Sequence, residues 1–392
     1  MLGLFILSFV VSVAFGYLIL RSGHLHAHFT GDVASPHSHK VHVTSVSRVG
    51  GMCIFLGWMV SLAAAVYADK LTPKLATMWT LCLLPAFLAG LTEDLTKRVS
   101  PTTRLLFSFL TAALAYTFLG TAVSRVDIYG IDALLAIPAV SFFFALLAIG
   151  GIAHAVNIID GLNGLASGIC LVNLFALGYV AFSVHDREIL LMCGLGIGAI
   201  MGFRVWNYPS GQLFCGDGGA YFIGSYVAIL STLLVNRHQE VSAWFPLLLV
   251  LYPVWETLFS AYRRRVRGLP ASTADKLHMH TLVYKRVKHS LQSAKGRVHT
   301  RRNSDASITM MMFAGGTALP AVLWWRDGPY LLAAVFAYIV LYLVIYRRLV
   351  RFAFRRKQRP SETRLPYSVV RRVAAFGRRV SRRTVRQNPK TR

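Results

Sequence analysis

Acidic residues and paired glycines occur in a few short stretches that separate long apolar runs. Glu93 and Asp94 are adjacent carboxylates, and Asp217 lies in the stretch GDGG, whose backbone N–H groups could approach a phosphate. Carboxylate oxygens together with substrate phosphates are the ligands that Mg²⁺ favours. Taken alone, the acid pair could equally be ordinary helix-end charge, and GDGG an ordinary turn. The chemistry that these residue types would support is a metal-assisted reaction on a phosphate.

The stretch NIIDGLNG adds amides to these acids. Asn157, Asp160 and Asn163 lie close together in it and could hydrogen-bond a nucleobase or a sugar. The alternative is a polar hairpin between two membrane helices, in which the same residues cap the next helix.

Cationic groups follow in a later polar segment. His278 and His280 alternate on a basic loop, and such groups suit a pyrophosphate. A solvated loop is the simpler interpretation when this segment is considered alone. Acids for a metal, basic groups for phosphates and amides for a base together indicate a site for a nucleotide sugar.

Long apolar segments must position these stretches. The chain has 392 residues, of which 55% are hydrophobic, and its mean hydropathy is +0.52; a soluble globular protein is less apolar. Apolar runs lie near 2–20, 50–68, 75–91, 105–123, 133–152, 163–183, 189–203, 219–235, 243–261, 306–325 and 329–346. Backbone groups in lipid must be hydrogen-bonded internally, so these runs should be helices. We therefore expect an all-α polytopic membrane protein with about eleven transmembrane helices.

The net charge of +26 is distributed unevenly. Most Lys and Arg residues fall in the odd-numbered connections and in the C-terminal tail, so the positive-inside rule predicts a periplasmic N-terminus and a cytoplasmic C-terminus. The predicted domains are a transmembrane catalytic domain at 1–349 and a basic cytoplasmic tail at 350–392. Anionic lipid is the expected partner of this tail. Nucleic acid is the weaker alternative, because no nucleic-acid-binding motif accompanies the basic residues.

Two further features limit the choice of function. The first apolar run lacks the basic start and the small-residue cleavage site of a signal peptide, so we expect it to remain as a membrane segment. The connection 21–49 carries six of the thirteen His residues without a fixed ligand spacing, so a metal site there is the weaker interpretation. The acids, amides and His pairs fall in connections predicted to share the cytoplasmic face, which favours one cytoplasmic site.

The order of these motifs resembles that of the polyprenyl-phosphate N-acetylhexosamine-1-phosphate transferases. This superfamily includes the peptidoglycan translocase and the enzymes that start O-antigen and other surface polysaccharides. The resemblance extends from about Lys40 to about Lys285. The segments similar to its five cytoplasmic motifs are KVH…SRVGG, GLTEDLTKRVSPTTRL, NIIDGLNGLASG, WNYPSGQLFCGDGGAYFIG and RRRVRGLPASTADKLHMHT. The third and fourth are the most specific.

The resemblance implies a reaction in the bacterial inner membrane. A UDP-N-acetylhexosamine would donate sugar-1-phosphate to undecaprenyl phosphate and release UMP, with Mg²⁺, or Mn²⁺ as the alternative, bound by Asp217 and Asp94. Asp94, assisted by Glu93, would orient or deprotonate the attacking phosphate. The residues implied as catalytic are Asp94, Glu93, Asp217, His278 and His280, and those implied as substrate-binding are Lys40, His42, Lys97, Arg104, Asn157, Asp160, Asn163 and Asn207. Homodimerisation is left open.

Three departures from the family pattern indicate which kind of enzyme within the superfamily the sequence resembles. Glu93 replaces the first Asp of an Asp-Asp pair, Thr281 stands where a further His is frequent, and Asn163 stands where some relatives have Asp. These changes favour an enzyme of lipopolysaccharide or other surface-polysaccharide synthesis over the peptidoglycan translocase.

Two other classes of protein remain as alternatives. One is a non-catalytic membrane scaffold. The other is a transporter, which would place ionisable residues near the bilayer midplane rather than at one face.

Overall fold

We describe the protein from a computed structural model, which describes residues 1–24, 31–32, 46–268, 277–287 and 295–358. The predicted substrate-binding residues Lys40 and His42 lie outside these ranges, as do most of the His-rich connection and the tail from residue 359 onward. All other predicted site residues lie within them.

Helices account for nearly all of the regular structure in the described residues. They are α1 Leu2–Arg21, α2 Gly51–Tyr67, α3 Pro73–Thr96, α4 Pro101–Leu119, α5 Ile131–Leu135, α6 Pro138–Ile159, α7 Leu165–Ser183, α8 Arg187–Asn207, α9 Gly216–Arg237, α10 Trp244–Leu249, α11 Leu251–Val266, α12 Met279–Tyr284, α13 Lys295–Gly315, α14 Ala318–Leu323 and α15 Gly328–Gln358. Two short strands, β1 Gly31–Asp32 and β2 Val46–Ser47, pair antiparallel.

Within the described ranges, nine helical segments are long and apolar enough to cross a membrane. They correspond to nine of the eleven predicted runs, including the short, glycine-rich run near 189–203. The expected class, an all-α multi-pass membrane protein, is therefore confirmed. The count of eleven spans and the orientation of the termini stay predictions.

The other two runs differ from the expectation. The run near 50–68 forms α2, an apolar helix of 17 residues that is shorter than the nine spans. The run near 243–261 is not continuous, because the structure divides it into α10 and α11 at Val250. Pro253, in the first turn of α11, has no N–H to bond the carbonyl of Leu249, so a single uninterrupted helix is disfavoured there.

Helix α9 lies at the centre of the bundle, and nearly all of its residues from Gly218 to Val235 are buried. Its neighbours approach it at glycines. A Cβ atom added at Gly90 of α3 would lie 2.5 Å from the backbone nitrogen of Gly218, and one added at Gly51 would lie 2.3 Å from that of Gly219. Because only glycine permits such contacts, these residues fix the N-terminus of α9 against α2 and α3.

The other end of α9 is held by charged groups. Asp186, the N-cap of α8, accepts a hydrogen bond from the backbone N–H of Ile189 at 2.9 Å. Its carboxylate also lies 3.1 Å from His238 Nε2 and 3.3 Å from an Arg237 nitrogen. Arg237 contacts Glu188 at 2.9 Å as well. These pairs tie the start of α8 to the end of α9.

By its internal contacts the chain divides into two compact units, Met1–Val344 and Ile345–Arg392. The first contains every described site residue. The described part of the second is the C-terminal portion of α15. The predicted domain boundary at 349/350 falls in the same helix.

Candidate functional site

Two extended backbone segments form the base of the site. The N–H of Phe214 donates to the carbonyl of Ser47 at 2.9 Å, and that of Gly50 donates to Phe214 at 2.9 Å. The chain then turns at Gly216, where φ is +73° and an added Cβ would lie 1.9 Å from the carbonyl oxygen of Arg48. The first and fourth sequence motifs thus meet, and glycine is required at the turn that leads into α9.

Asp94 caps α9 from a neighbouring helix. Its side chain is 1% exposed, and its two oxygens accept the backbone N–H groups of Asp217 and Gly218, each at 2.9 Å. A carboxylate at the start of a helix satisfies unpaired N–H groups and favours the positive end of the helix dipole. Asp94 therefore positions Asp217. Its predicted direct part in catalysis or metal binding stays a prediction, and its oxygens already have partners.

Two predicted residues, Asn157 and Arg104, contact the carboxylate of Asp217. Asn157 donates its side-chain N–H to Oδ1 at 3.0 Å, and Arg104 forms an ion pair with Oδ2. The Asp217 side chain is 19% exposed, so it remains within reach of a ligand. The arrangement joins an anion, a cation and an amide, contributed by α9, α4 and α6.

Asp160 lies at the C-terminal end of α6, next to this group. Burial and the negative charge of Asp217 raise the pKa of its carboxyl, the positive charge of Arg48 lowers it, and the net result is a pKa of about 7. Asp160 is half-buried, and within the part of the chain that the structure describes its side chain forms no hydrogen bond. A half-buried acid beside a second acid has unused capacity to bind a ligand.

Glu93 and Lys97 shape the turn between α3 and α4. Glu93 accepts the backbone N–H of Val99 at 2.7 Å, and Lys97 ends α3 in the left-handed conformation with φ of 55°. Lys97 is exposed. The roles predicted for both residues in phosphate chemistry stay predictions.

Asn163 and Asn207 are buried and bonded within the protein. The backbone N–H of Asn163 donates to Asn303 Oδ1 at 2.7 Å, and its side chain donates to the carbonyl of Pro209 at 3.4 Å. Asn207 donates to the carbonyl of Leu213 at 2.7 Å. This arrangement gives both residues a part in holding the turn that precedes GDGG. Their predicted contact with substrate stays a prediction.

The two histidines of the last motif lie beside the NIIDGLNG turn. Their rings stack with centroids 5.4 Å apart, and an added Cβ at Gly161 would lie 2.6 Å from His280 Nε2. The structure thus brings the fifth motif to the third. His278 also lies 2.9 Å from the carboxylate of Glu256.

Sequence interpretation missed His154 and Glu256. His154 Nε2 lies 3.3 Å from Ser108 Oγ, and its ring lies 4.8 Å from that of Tyr221, beside the Asp217 group. The available signal was its spacing, because a residue three before Asn157 shares the same helix face. Glu256 was detectable as a lone acid in an apolar run, a position where an ionisable group commonly has a function.

Oxygen donors are the groups that the site offers to a metal. The described residues hold no cluster of three or more His, Cys, Asp or Glu side chains that could bind an ion unaided. The acids Asp217 and Asp160 nevertheless lie close enough for one charge to raise the pKa of the other. Such a pair fits a hard cation that takes its remaining ligands from phosphate and water, as Mg²⁺ does.

Comparisons with known proteins cover the part of this site that surrounds Asp217. Residues 76–235 match the family model described as "Glycosyl transferase family 4". The chain is 28% identical over 255 residues to the "Probable undecaprenyl-phosphate N-acetylglucosaminyl 1-phosphate transferase" of Bacillus subtilis, covering 64% of this chain and 69% of that protein.

Two further relatives match the chain at a similar level of identity. The chain is 30% identical over 289 residues to the "Decaprenyl-phosphate N-acetylglucosaminephosphotransferase" of Mycobacterium tuberculosis, covering 64% of this chain and 68% of that protein. It is 29% identical over 217 residues to the "Phospho-N-acetylmuramoyl-pentapeptide-transferase" of Streptococcus pneumoniae, covering 53% and 64%.

Proposed function

The chain belongs to glycosyl transferase family 4, as a multi-pass membrane glycosyl-1-phosphate transferase of the polyprenyl-phosphate N-acetylhexosamine-1-phosphate transferase superfamily, and from this premise we propose its reaction. It transfers N-acetylhexosamine-1-phosphate from a UDP-sugar to undecaprenyl phosphate at the cytoplasmic face of the bacterial inner membrane. The products are undecaprenyl-diphosphate-sugar and UMP.

The observation that carries this proposal is the group around Asp217. Arg104 and Asn157 hold its carboxylate, Asp160 lies beside it, and Asp94 fixes the helix that presents it. Phosphoryl transfer depends mainly on positioning and on neutralising charge. A site that combines acids, a guanidinium and an amide on rigid helix ends meets both needs.

The bond changes follow from the two substrates. An oxygen of the lipid phosphate attacks the β-phosphorus of the UDP-sugar, a new P–O bond forms, and the bond from this phosphorus to the oxygen of UMP breaks. Arg104, His278 and His280 stabilise the charge on the phosphates. Asn157 hydrogen-bonds the uridine or the sugar.

Mg²⁺ is the proposed cofactor, with Asp217 as its main protein ligand and Asp160 beside it. When bound, it would neutralise the diphosphate and help UMP to leave. Arg104 now contacts the carboxylate of Asp217, so a bound cation would compete with Arg104, which would then turn to a phosphate oxygen.

The isoprenoid chain of the acceptor needs an apolar surface. A cavity of about 430 Å³ lies between α6, α9 and α10, and its walls include Phe144, Ile152, Ala228 and Leu247. Ile152 precedes Asn157 by about 7.5 Å along α6. We propose that this cavity receives part of the lipid chain while the phosphate reaches Asp217.

Surface-polysaccharide initiation, including that of O-antigen in lipopolysaccharide, is the proposed role. This role is supported by the three positions at which the sequence departs from the family pattern, Glu93, Asn163 and Thr281. N-acetylglucosamine is the first sugar to test, because two of the relatives described above are named for it.

The test is UMP release by purified protein in detergent with undecaprenyl phosphate, Mg²⁺ and a panel of UDP-N-acetyl sugars. We expect lipid-dependent UMP from one sugar, and its loss on adding a chelator or in the variant Asp217→Asn. Folded protein that releases no UMP from any donor would contradict the proposal and favour the scaffold alternative.

A further inference from the structure

Glu256 is a fully buried carboxylate for which the reaction above gives no role. It lies in α11 with 0% exposure. Burying a carboxylate is unfavourable unless it is paired and hydrogen-bonded, so such a residue needs a structural or functional cause.

The contacts of Glu256 converge from three elements. Oε1 lies 2.9 Å from His278 Nδ1 and accepts from Ser260 Oγ at 3.4 Å. Oε2 accepts the hydroxyl of Tyr342 at 2.7 Å and the backbone N–H of Met279 at 3.2 Å. Four donors thus hold one carboxylate, and one of them belongs to a residue of the candidate site.

The chemistry of this contact fixes the state of the imidazole. An ionised carboxylate only accepts hydrogen bonds, so Nδ1 of His278 must carry the proton in it. Nε2 is then the ring nitrogen left for a ligand. A hydrogen bond at one nitrogen commonly sets the tautomer and the ring direction of a functional histidine in this way.

The charge of Glu256 is maintained by its surroundings. Helix α11 is not among the nine candidate spans. Burial would raise the pKa of Glu256, but the hydrogen bond from His278, the charges of His280 and His278 and the hydrogen bond from Tyr342 together lower it. Glu256 is therefore held as a carboxylate that accepts hydrogen bonds.

We propose that Glu256 is a positioning residue that accepts the Nδ1–H of His278 and so directs the Nε2 edge of the ring at the diphosphate of the donor, where an Nε2–H donates to a phosphate oxygen. The inference rests on the proposed function for the identity of the ligand. It assigns the His278–His280 pair a defined orientation, with Glu256 on one side and the NIIDGLNG turn on the other.

The activity of a double variant shows whether Glu256 acts through His278 or only supports the fold. If Glu256 acts through His278, removing both residues should harm the reaction no more than removing His278. If Glu256 only supports the fold, the two losses should multiply. A double-mutant cycle separates the two.

The kinetic test compares Glu256→Gln, His278→Gln and the double variant by UMP release per folded protein. We expect each single variant to lower kcat about tenfold or more, and the double variant to match His278→Gln. Glu188→Gln is the matched control, because Glu188 also has two partners, Trp79 at 3.2 Å and Arg237 at 2.9 Å, at the other end of α9. Multiplying losses would overturn the proposal.

A second measurement does not depend on turnover or on the folding of a Glu256 variant. Solid-state NMR of the full chain, labelled with ¹⁵N-histidine in lipid vesicles, assigns His278 from the difference between the native protein and His278→Gln. We expect a protonated Nδ1, and an unprotonated Nδ1 would overturn the proposal. If the native protein releases no UMP from any donor, the proposed function fails, while this spectrum still tests whether His278 donates its Nδ1–H to Glu256.

Discussion

At the scale of single residues, two aspartates that look alike in the sequence have different surroundings. Asp94 is buried and accepts two backbone N–H groups, whereas Asp217 is partly exposed and is held by side chains. The first arrangement is typical of a residue that supports the site, and the second of a residue that meets a ligand. Substitution by asparagine should distinguish them.

We expect Asp217→Asn to lower UMP release about a hundredfold or more, because the loss of a charge at the reacting phosphates removes electrostatic stabilisation. Its melting temperature in detergent should stay near that of the native protein. Asp94→Asn should lower the activity and should also lower the free energy of unfolding by about 1–3 kcal/mol, because an amide NH₂ cannot accept a hydrogen bond from a backbone N–H. Equal melting temperatures for the two variants would contradict the capping role of Asp94.

At the scale of elements, the helix ends carry both the site and its supports. Helix α9 presents Asp217 at its N-terminus, and its C-terminus is tied to α8 through Asp186, His238 and Arg237. Burial alone would raise the pKa of Asp186, but hydrogen bonds from Ile189 N–H and His238, together with the charge of Arg237, lower it. The ionised form is therefore stabilised in the folded state.

A pH dependence of stability follows from this shift. Because the folded pKa lies below the unfolded value of about 3.9, the stabilisation is present above that pH and is lost as the pH falls through the folded pKa. Asp186→Asn keeps the cap but loses the charge. Its melting temperature should therefore lie below that of the native protein at neutral pH, and this difference should become smaller below about pH 4. Asp186→Ala also loses the cap and should cost about 1 kcal/mol more. A deficit for Asp186→Asn that grows on acidification would contradict the assignment.

At the scale of the whole molecule, the distribution of Lys and Arg predicts the orientation in the membrane. Arg98 and Tyr129 are both exposed, lie on successive connections, and are predicted to face opposite sides. The five native cysteines are all free and buried, so background labelling should be low.

We expect a membrane-impermeant maleimide to label Tyr129→Cys in intact spheroplasts, and Arg98→Cys only after lysis. Both variants should be labelled equally in detergent, which serves as the control for exposure. Labelling of Arg98→Cys in intact spheroplasts would contradict the predicted orientation and the cytoplasmic position of the site.

The sequence by itself determined the class of the protein and the residue types of the site. Apolar runs long enough to cross a bilayer leave the backbone no alternative to helices, so hydropathy alone predicts an all-α membrane protein. The acids, amides and histidines were visible as types at the ends of these runs. These residue types can be identified without knowing which segments contact each other in the fold.

Only the tertiary structure decided what each residue contacts. Asp94 meets the backbone of α9 across 123 and 124 positions, Asn163 meets Asn303 across 140, and Glu256 meets His278 across 22. Such partners depend on how helices pack, and here glycines set the close approach of α2 and α3 to α9. Since one carboxylate can cap a helix, orient a histidine or bind a cation, its partners decide which of these it does.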